Sequence, residues 1–329
     1  MKQRLIFVAW NQISRRSAEL SKRIGAEYIN LGRVDRPTLK RLSNLVVNFF
    51  RTYSLFRDRR PEVIFTFHAH PLITLAAAIY KKFNRCQVVA DLHSAAYLDH
   101  YRFPLKSLNR WVWKKADILL IHNRMSQNYF NQNIPGYSGK LFILEDPIPT
   151  VPVHIRKKYL YGIKGKFVGI LVSRFSDDEP VLPFLEQIKG VNNIYIYVTG
   201  NYTKARITPD QAEGENYRLT GFLDDDKYWE LLAGADFIIA LTTREYTLLS
   251  AGYEALGLEK PLLISDTDTL REYFQENVEY LDRLSGDIGK SMENVIVDLD
   301  DYQRDMSQLK QVKNAEWDTK ITGLINKIV

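Results

Sequence analysis

The amino-acid sequence predicts an α/β protein of two doubly wound domains, each built on a parallel sheet. Two observations carry this prediction. Short apolar runs alternate with amphipathic segments along the 329 residues, and the alternation is interrupted once, by a proline-rich segment. Short apolar runs separated by helix-length segments are typical of βαβ units with buried parallel strands. The length also fits two domains of about 100–200 residues each.

The first half contains six predicted strands separated by helices. Apolar runs predict strands at 5–10, 26–32, 63–67, 87–94, 117–123 and 140–146. Amphipathic segments predict helices at 15–24, 38–56, 71–83 and 105–115, with one more between the last two strands. Because parallel strands end at one edge of their sheet, ligand-binding loops are expected at that edge.

The alternation resumes in the second half of the chain. Apolar runs predict strands at 167–175, 194–200, 217–222, 236–243 and 261–266. The gaps predict helices at 180–189, 225–234, 250–258 and 267–275, and the charged amphipathic segment 284–328 is also expected to be helical.

The segment 146–166 separates the two halves and has three prolines within seven residues, which predicts an interdomain linker. The expected organisation is a first domain over 1–150, a linker over 151–166 and a second domain over 167–300. A C-terminal helix over 301–329 is expected to pack back on the first domain.

Composition limits the class of protein. The excess of 45 Lys and Arg over 39 Asp and Glu gives a net charge of +6, which suits an anionic ligand, an anionic membrane surface or nucleic acid. The single cysteine, Cys86, excludes an internal disulfide and fits a reducing compartment. The N-terminal apolar run is too short for a signal peptide, and no run reaches the length of about 18 residues that spans a bilayer. We therefore expect a cytoplasmic protein.

A small-residue helix start follows the predicted strand 236–243. Ser250, Ala251 and Gly252 offer backbone N–H groups and little steric bulk, which suits a phosphate at a helix N-terminus. Glu254 comes one turn later, and its two carboxylate oxygens suit the two hydroxyls of a ribose. The alternative is an ordinary strand–helix–strand unit with an N-cap serine.

The segment LTTREYTLLSAGYEALGLEKPLLISDTDTLREYF (241–274) resembles the nucleotide-sugar motif of GT-B glycosyltransferases, especially glycosyltransferase family 4. Three further segments, VTGN (198–201), TGF (220–222) and ADFIIALT (235–242), follow the family's order, as does SRFSDDEP (173–180). The resemblance implies two Rossmann-like domains facing a cleft (GT-B). It also implies a UDP- or GDP-sugar donor, a saccharide or lipid-linked acceptor, no bound metal and no nucleic-acid partner.

The resemblance also implies roles for donor-site residues. The family motif has two glutamates separated by seven residues. If Glu254 is the second, the first position of the motif falls on Tyr246, and Glu245 lies one residue before it. Glu245, Tyr246 and Thr247 are therefore alternative sugar contacts. Gly200 belongs to the donor loops. Arg174 is implied to neutralise the diphosphate, with Arg244 compensating for a missing lysine.

A surface salt bridge from Arg174 to Asp177 or Asp178 is the alternative to its role at the diphosphate. Stereochemistry stays open between retention, which the resemblance implies, and inversion with a base from the first domain.

Titratable residues also lie at strand ends in the first domain. Asp91 and His93 follow one strand and suit orientation or deprotonation of an acceptor hydroxyl. His68 and His70 follow a second strand and are also assigned to the acceptor side. For each histidine, the alternative is a purely structural role. A metal site of His68, His70 and His93 lacks a standard ligand spacing, so no metal is expected. Three residues before or within the first helix either meet an anionic acceptor or cap that helix: Ser14, Arg15 and Arg16.

The basic aromatic segment 38–60 has two interpretations. It is either a helix with one core face and one solvated basic face, or a peripheral contact with an anionic membrane. In the second interpretation the residues at the lipid boundary are Phe49, Phe50, Tyr53 and Phe56. A location on the inner face of a membrane would then suit a lipid-linked acceptor.

The sequence therefore predicts a hexosyltransferase of bacterial polysaccharide or glycolipid synthesis. One alternative is a nucleotide-sugar epimerase of the same fold, which needs no acceptor. The other is a basic nucleic-acid-binding protein, which needs basic residues and exposed aromatic residues on one face.

Overall fold

The computed structural model describes residues 4–10, 15–32, 38–98, 104–155, 165–208, 211–282 and 287–328. The chain forms two compact units. The first unit comprises Met1–Pro147 and Ala315–Val329, and the second comprises Ile148–Asn314. Each unit contains one six-stranded sheet in which all strand pairs are parallel. The predicted doubly wound α/β class is confirmed.

The first unit follows the predicted alternation closely. Its strands are β1 (Leu5–Ala9), β2 (Glu27–Asn30), β3 (Val63–His68), β4 (Gln87–Leu92), β5 (Ile118–Ile121) and β6 (Leu141–Ile143). Its helices are α1 (Arg15–Ile24), α2 (Thr38–Arg59), α3 (Pro71–Phe83), α4 (Ser94–Tyr97), α5 (Leu105–Lys115) and α6 (Arg124–Asn133).

The strand order β2-β1-β3-β4-β5-β6 places two helical layers on the first sheet. Strand residues such as Ile64 and Val88 pack with α2, α3, α5 and α6 on one face. Their neighbours Phe65 and Val89 pack with α1 on the other face. The chain leaves β1 in one direction and β3 in the other, so the carboxyl ends of β1 and β3 form a topological switch point, where this type of sheet binds ligands.

The second unit repeats this architecture. Its strands are β7 (Phe167–Val172), β8 (Ile194–Thr199), β9 (Tyr217–Gly221), β10 (Phe237–Ala240), β11 (Leu262–Ser265) and β12 (Glu279–Leu281). Its helices are α7 (Val181–Gln187), α8 (Asp225–Gly234), α9 (Ser250–Leu258), α10 (Asp268–Phe274), α11 (Ile288–Val297) and the beginning of α12 (Leu299–Ile328).

The strand order β12-β11-β10-β7-β8-β9 places the switch point of the second sheet between β7 and β10. These two strands pair in the middle of the sheet, with Phe237 opposite Gly169. A Cβ on Gly169 would lie 2.3 Å from the Phe237 ring, so the absence of a side chain leaves room for that ring to pack over β7. The pair of strands therefore holds the two loops that follow them in a fixed register.

The unit boundaries differ from those drawn on the sequence. The first unit ends at Pro147 rather than at 150, and the segment predicted to be a linker begins inside the second unit. Ile148, Val151 and Ile155 pack against its core, whereas 156–164 lie outside the described residues. The helix predicted from 301 begins at Leu299. Its last turns belong to the first unit, whose core includes Trp317 and other α12 side chains: Ile321, Leu324 and Ile328.

Two short elements were not predicted, the four-residue helix α4 and the three-residue strand β12. Both are too short to give a periodic pattern. Among the described residues, no helix combines the length and the apolar character needed to cross a bilayer.

Candidate functional site

Two loops meet at the switch point of the second sheet, the β7 loop (173–180) and the β10 loop (241–249). The Thr243 N–H donates to the Asp178 carbonyl at 2.8 Å. The Thr242 hydroxyl donates to the Asp178 carboxylate at 3.0 Å. These hydrogen bonds join the two loops in which the sequence predicted the donor site.

The β7 loop is organised around one carboxylate that the sequence analysis did not single out. Glu179 Oε2 accepts from the Ser173 hydroxyl at 2.7 Å, from the Arg174 N–H at 2.7 Å and from the Ser176 N–H at 3.2 Å. Charged acceptors make the stronger hydrogen bonds. Glu179 therefore fixes the backbone that carries the exposed Arg174 side chain.

Arg174 is not engaged in the surface salt bridge that was its alternative role. Within the described part of the chain, no carboxylate lies within ion-pair distance of its guanidinium group. Asp178 pairs instead with Arg244, at 3.1 Å. Arg244 is therefore already paired with an anion, and its role as a second cation for a diphosphate stays a prediction.

Lys204 supplies a second cation that the sequence analysis missed. It follows β8, the strand next to β7, and its Nζ donates to the Arg174 carbonyl at 3.3 Å. The two residues are 30 positions apart, so a search for a lysine a few residues after Arg174 could not find it. Strand order brings the two cations together.

Gly200 lies where the β8 end approaches the β7 loop. Its φ is +102°, and a Cβ would lie 2.1 Å from the Ser173 carbonyl oxygen. Glycine is therefore needed here for close approach of two backbones. Backbone packing is therefore sufficient to explain a glycine at position 200, and the predicted direct contact of Gly200 with the donor is not needed for that explanation.

Backbone strain is concentrated around the same switch point. Phe175 in the β7 loop and Tyr246 in the β10 loop have φ of +54° and +62°. Bulky residues rarely adopt this conformation, and such residues cluster at functional sites. The Tyr246 N–H is held by the Thr269 hydroxyl at 2.9 Å, which helps to maintain the strained turn.

Helix α9 begins at Ser250 as predicted, but its small residues serve packing. Its N-cap residue is Leu249, so Ser250 is not the cap that the alternative interpretation required. Ala251 is buried in the core, and a Cβ on Gly252 would lie 2.6 Å from the Phe274 ring. The Gly252 N–H already donates to the Leu249 carbonyl. This corrects the prediction that Ala251 and Gly252 face a phosphate. Of the three predicted residues, only Ser250 remains a candidate for a phosphate contact at the N-terminus of α9.

Glu254 is buried one turn into α9 and accepts a short hydrogen bond from the Tyr228 hydroxyl of α8. Tyr228 was not predicted, because nothing in the sequence links it to a residue 26 positions away. Glu245 and Thr247 are half-buried in the β10 loop, where the Thr247 hydroxyl donates to the Glu245 carbonyl at 3.3 Å. Glu254 is thus the buried carboxylate of the motif, whereas Glu245 and Thr247 are only half-buried.

The first unit contains a buried charge cluster at the carboxyl edge of its sheet. Arg16 of α1 donates to both oxygens of Asp91, from Nε at 3.1 and 3.0 Å and from Nη2 at 2.8 Å. Its Nη1 donates to the Glu145 carbonyl and to Asp146. Arg16 is therefore committed to this cluster, which corrects its predicted contact with an anionic acceptor. Ser14 and the Arg15 side chain lie outside the described residues.

Asp91 does not have the properties of a general base. Burial by itself raises the pKa of a carboxyl group, but the Arg16 guanidinium and His122 outweigh that effect and hold the pKa of Asp91 well below its usual range. A carboxylate with so low a pKa does not accept a proton near neutral pH. Asp91 instead positions Arg16 and the histidines beside it, which argues against its predicted role in deprotonation, whereas orientation of an acceptor hydroxyl stays a prediction.

His122 completes the cluster and was missed. It follows β5 directly, and its Nε2 lies 3.6 Å from Asp91 Oδ1 while its Nδ1 lies 3.7 Å from Asp146 Oδ1. The strand-end rule that identified His93 applies equally to His122. The two imidazole rings are in contact, with centroids 4.8 Å apart.

His93 retains the features of a candidate ligand-binding residue. Its Nε2 is buried and has no hydrogen-bond partner among the described residues. Burial lowers its pKa to about 4, so the imidazole is neutral at pH 7. Native structures rarely leave a buried polar atom unpaired, so this nitrogen indicates where a ligand or an ordered water binds.

The other two histidines have structural roles, which corrects their acceptor-side assignment. The His68 Nδ1 pairs with the Thr74 hydroxyl at 2.7 Å, and its Nε2 donates to Asn109 Oδ1 at 2.9 Å. His68 is fully buried, and burial lowers its pKa to about 4. The His70 Nδ1 accepts from the Leu72 N–H at 3.3 Å and caps α3.

One group of side chains in the described ranges has the ligand types of a metal site: Asp91, His93 and His122, whose candidate ligand atoms lie within 4.8 Å of one another. Imidazole and carboxylate ligands suit Zn²⁺. However, the Arg16 guanidinium contacts both Asp91 oxygens and would repel a cation. The arrangement therefore favours an ion-pair cluster over a metal centre.

The Arg16–Asp91 pair is expected to stabilise the first unit only when it is complete. Asp91→Asn and Arg16→Met each leave a buried partner uncompensated, so each should lower the free energy of unfolding by about 3–5 kcal/mol. The double variant should lose less than the two single losses together. Urea denaturation measures all three, with Glu186→Gln in an exposed ion pair as the control. Strictly additive losses would contradict the coupling.

The stability of the protein should fall as pH decreases from 6.5 to 4. The folded pKa of His68 is about 4, whereas the ordinary value is 6.5, so the unfolded chain binds a proton in this range that the folded chain does not. Linkage gives a loss of about 2 kcal/mol at pH 5 for one such group. Denaturation at pH 7 and pH 5 measures the loss. His68→Gln should reduce it and His154→Gln, at an exposed histidine, should not; equal effects would contradict the assignment.

No protein-family model matches the chain, and no curated protein matches its sequence. Solved structures do match its fold. A glycosyltransferase from Rickettsia africae ESF-5 is similar with a TM-score of 0.75 and 10% identity, covering 100% of this chain and 98% of that one. HepE from Anabaena, solved with UDP and glucose, has a TM-score of 0.73 and 11% identity, with 99% of each chain covered.

Sucrose-phosphate synthase from Thermosynechococcus elongatus is similar in the same way. The TM-score is 0.72 at 10% identity, and the alignment covers 98% of this chain and 97% of that one. At this level of identity the likeness establishes architecture alone. The chain has the GT-B fold of two doubly wound α/β units.

Proposed function

We propose that the chain is a glycosyltransferase that moves a hexosyl group from a nucleotide-diphospho-sugar to an acceptor hydroxyl. One observation carries the proposal. At the β7/β10 switch point, two uncompensated cations lie on adjacent strand ends, next to strained loops and a helix that carries a buried carboxylate. The similar HepE structures hold UDP and UDP-glucose, which supports a UDP-sugar as the donor.

The donor nucleoside is proposed to bind through Glu254. A ribose presents two adjacent hydroxyl donors, and a carboxylate offers two acceptor oxygens. Tyr228 donates to one of these oxygens, so it positions the carboxylate before the ligand arrives. Tyr246 and Thr247 remain the proposed contacts to the sugar, with Glu245 as their alternative.

The diphosphate is proposed to lie near Arg174, Lys204 and the N-terminus of α9 at Ser250. Breaking the bond between the sugar and the phosphate builds negative charge on the leaving nucleoside diphosphate. Fixed cations aimed at that charge stabilise the transition state. We propose that these two side chains do the work that a divalent cation does in other transferases, so the reaction needs no metal.

The first unit is proposed to supply the acceptor side. His93 is neutral at pH 7 and its Nε2 is unpaired within the described residues, so it can orient an acceptor hydroxyl by a hydrogen bond. Asp91 and Arg16 hold the surrounding cluster in place. The proposed acceptor is a saccharide or a lipid-linked saccharide of polysaccharide or glycolipid synthesis, used on the cytoplasmic side of a membrane.

Nucleotide binding tests the donor site. UDP or GDP should raise the melting temperature of the protein, because a ligand that binds only the folded state stabilises it by mass action. ADP and CMP should act less. Glu254→Gln should abolish the shift, and Glu293→Gln, at an exposed glutamate of the same unit, should retain it.

Two outcomes would contradict the proposal. The first is the absence of stabilisation by any of the four nucleotides. The second is conversion of a UDP-sugar to an isomer without any acceptor, since that result would support the epimerase alternative.

The two cations should discriminate UDP from UMP. Arg174→Ala and Lys204→Ala should each weaken UDP binding about tenfold, since the loss of a charge-assisted hydrogen bond costs roughly 1.5 kcal/mol. UMP, which lacks the second phosphate, should bind with little change. Isothermal titration calorimetry measures both ligands, and Lys189→Ala serves as the control. An equal loss for UDP and UMP would contradict the assignment to the diphosphate.

A further inference from the structure

The net charge of the protein is distributed unevenly between its two units. The first unit has 26 Lys and Arg against 12 Asp and Glu, and the second has 19 against 27. Their net charges are therefore +14 and −8, although the whole chain carries only +6. An excess of this size in one unit indicates an anionic partner for that unit.

Much of the positive charge lies on three neighbouring helices of the first unit. Helix α2 packs against α3, and α3 packs against α5, on one face of the sheet. The three helices contain five, two and four Lys and Arg, but only one acidic residue, Asp58. We call the outward-facing side of α2, α3 and α5 the basic helical face.

The same three helices carry exposed apolar side chains. Ten large hydrophobic residues of the described chain are exposed, and five of them lie here: Val46, Val47, Phe50, Phe83 and Trp111. Two of the aromatic rings lie beside a lysine. Lys82 Nζ is 5.6 Å from the Phe83 ring centre, and Lys115 Nζ is 5.6 Å from that of Trp111. Apolar contact and positive charge therefore occur together.

The structure revises the lipid-boundary residues suggested by the sequence. Phe56 is fully buried against Tyr80, and Phe49 and Tyr53 are partly buried against the same core. Only Phe50 of the four is exposed, at 64%. The exposed aromatic residues of the basic helical face are instead Phe50, Phe83 and Trp111, one from each of the three helices.

We propose that the basic helical face docks on an anionic lipid bilayer. Lysine and arginine next to an anionic membrane are each attracted to it, and tryptophan and phenylalanine partition into the headgroup boundary. A soluble polyanion would use the charges but would leave the aliphatic residues of α2 without a partner. The membrane contact rests on the proposed function in one respect, because it would bring a lipid-linked acceptor to the enzyme. Binding to lipid does not itself depend on the transfer reaction.

Trp111 provides an internal probe of this contact. It is 46% exposed, whereas Trp10, Trp113, Trp229 and Trp317 are at most 7% exposed. The full chain is mixed with vesicles of phosphatidylglycerol and phosphatidylcholine, or of phosphatidylcholine alone. The emission of Trp111 should shift to shorter wavelength and be quenched by brominated lipids only with the anionic vesicles. Trp111→Phe should remove most of the shift.

Variants separate charge from apolar contact. Lys114→Gln with Lys115→Gln should weaken vesicle binding about thirtyfold. Phe50→Ser and Phe83→Ser should each weaken it about tenfold. The matched controls lie in the second unit and should bind as the natural protein does: Lys189→Gln with Lys290→Gln for the charges, and Val297→Ser for an exposed apolar side chain.

Three results would overturn the proposal: no binding to anionic vesicles, equal weakening by the control variants, or binding to a soluble polyanion such as heparin without binding to vesicles. The melting-temperature shift with UDP is measured on every variant. Its retention shows that the variant is folded, and it separates failure of the membrane contact from failure of the donor site.

Discussion

The burial of parallel strands on both faces is the constraint on which the rest of this structure depends. Every residue of β3, β5, β10 and β11 is buried, so the strands have no room for groups that bind or react. The polar groups of the two candidate sites therefore lie at strand ends, in loops and in the adjoining helices. The switch points then decide which loops meet, and this is why residues as distant as Asp178 and Thr242 bind one another.

Burial at the carboxyl edge of the sheet also determines the protonation state of the polar groups that lie there. Asp91 and His93 are two residues apart at the end of one strand, and burial acts on both. Asp91 has Arg16 beside it and stays ionised, whereas His93 has no compensating anion in direct contact and stays neutral. The neighbouring Arg16 makes Asp91 a structural ion, whereas His93, without such a neighbour, remains available to a ligand.

The strands and helices could be predicted because their hydrophobic periodicity is local, and the bounds of α1, α3, α5 and α9 agree with the sequence. The site could be predicted only in part. Glu254 and Arg174 each lie in a segment that is contiguous in sequence and resembles part of a family motif. Lys204 and Tyr228 act through partners 30 and 26 positions away, and the fold alone brings them close. The role of Gly252 was misassigned because a phosphate and a phenyl ring both require a small residue.

An acidic unit that binds an anionic nucleotide needs local rather than overall complementarity. The second unit carries a net charge of −8, yet its acidic side chains are largely spread over the surface, where salt screens them beyond about 8 Å. Two of the three carboxylates of the β7 loop are already engaged: Glu179 by backbone N–H groups, and Asp178 by Arg244. Among the described residues, no carboxylate forms an ion pair with Arg174 or Lys204, so both can present their charge to a ligand. The positive φ at Phe175 and Tyr246 is maintained by similar local anchors, because Glu179 accepts from the N–H of Ser176 and the Thr269 hydroxyl accepts from the N–H of Tyr246.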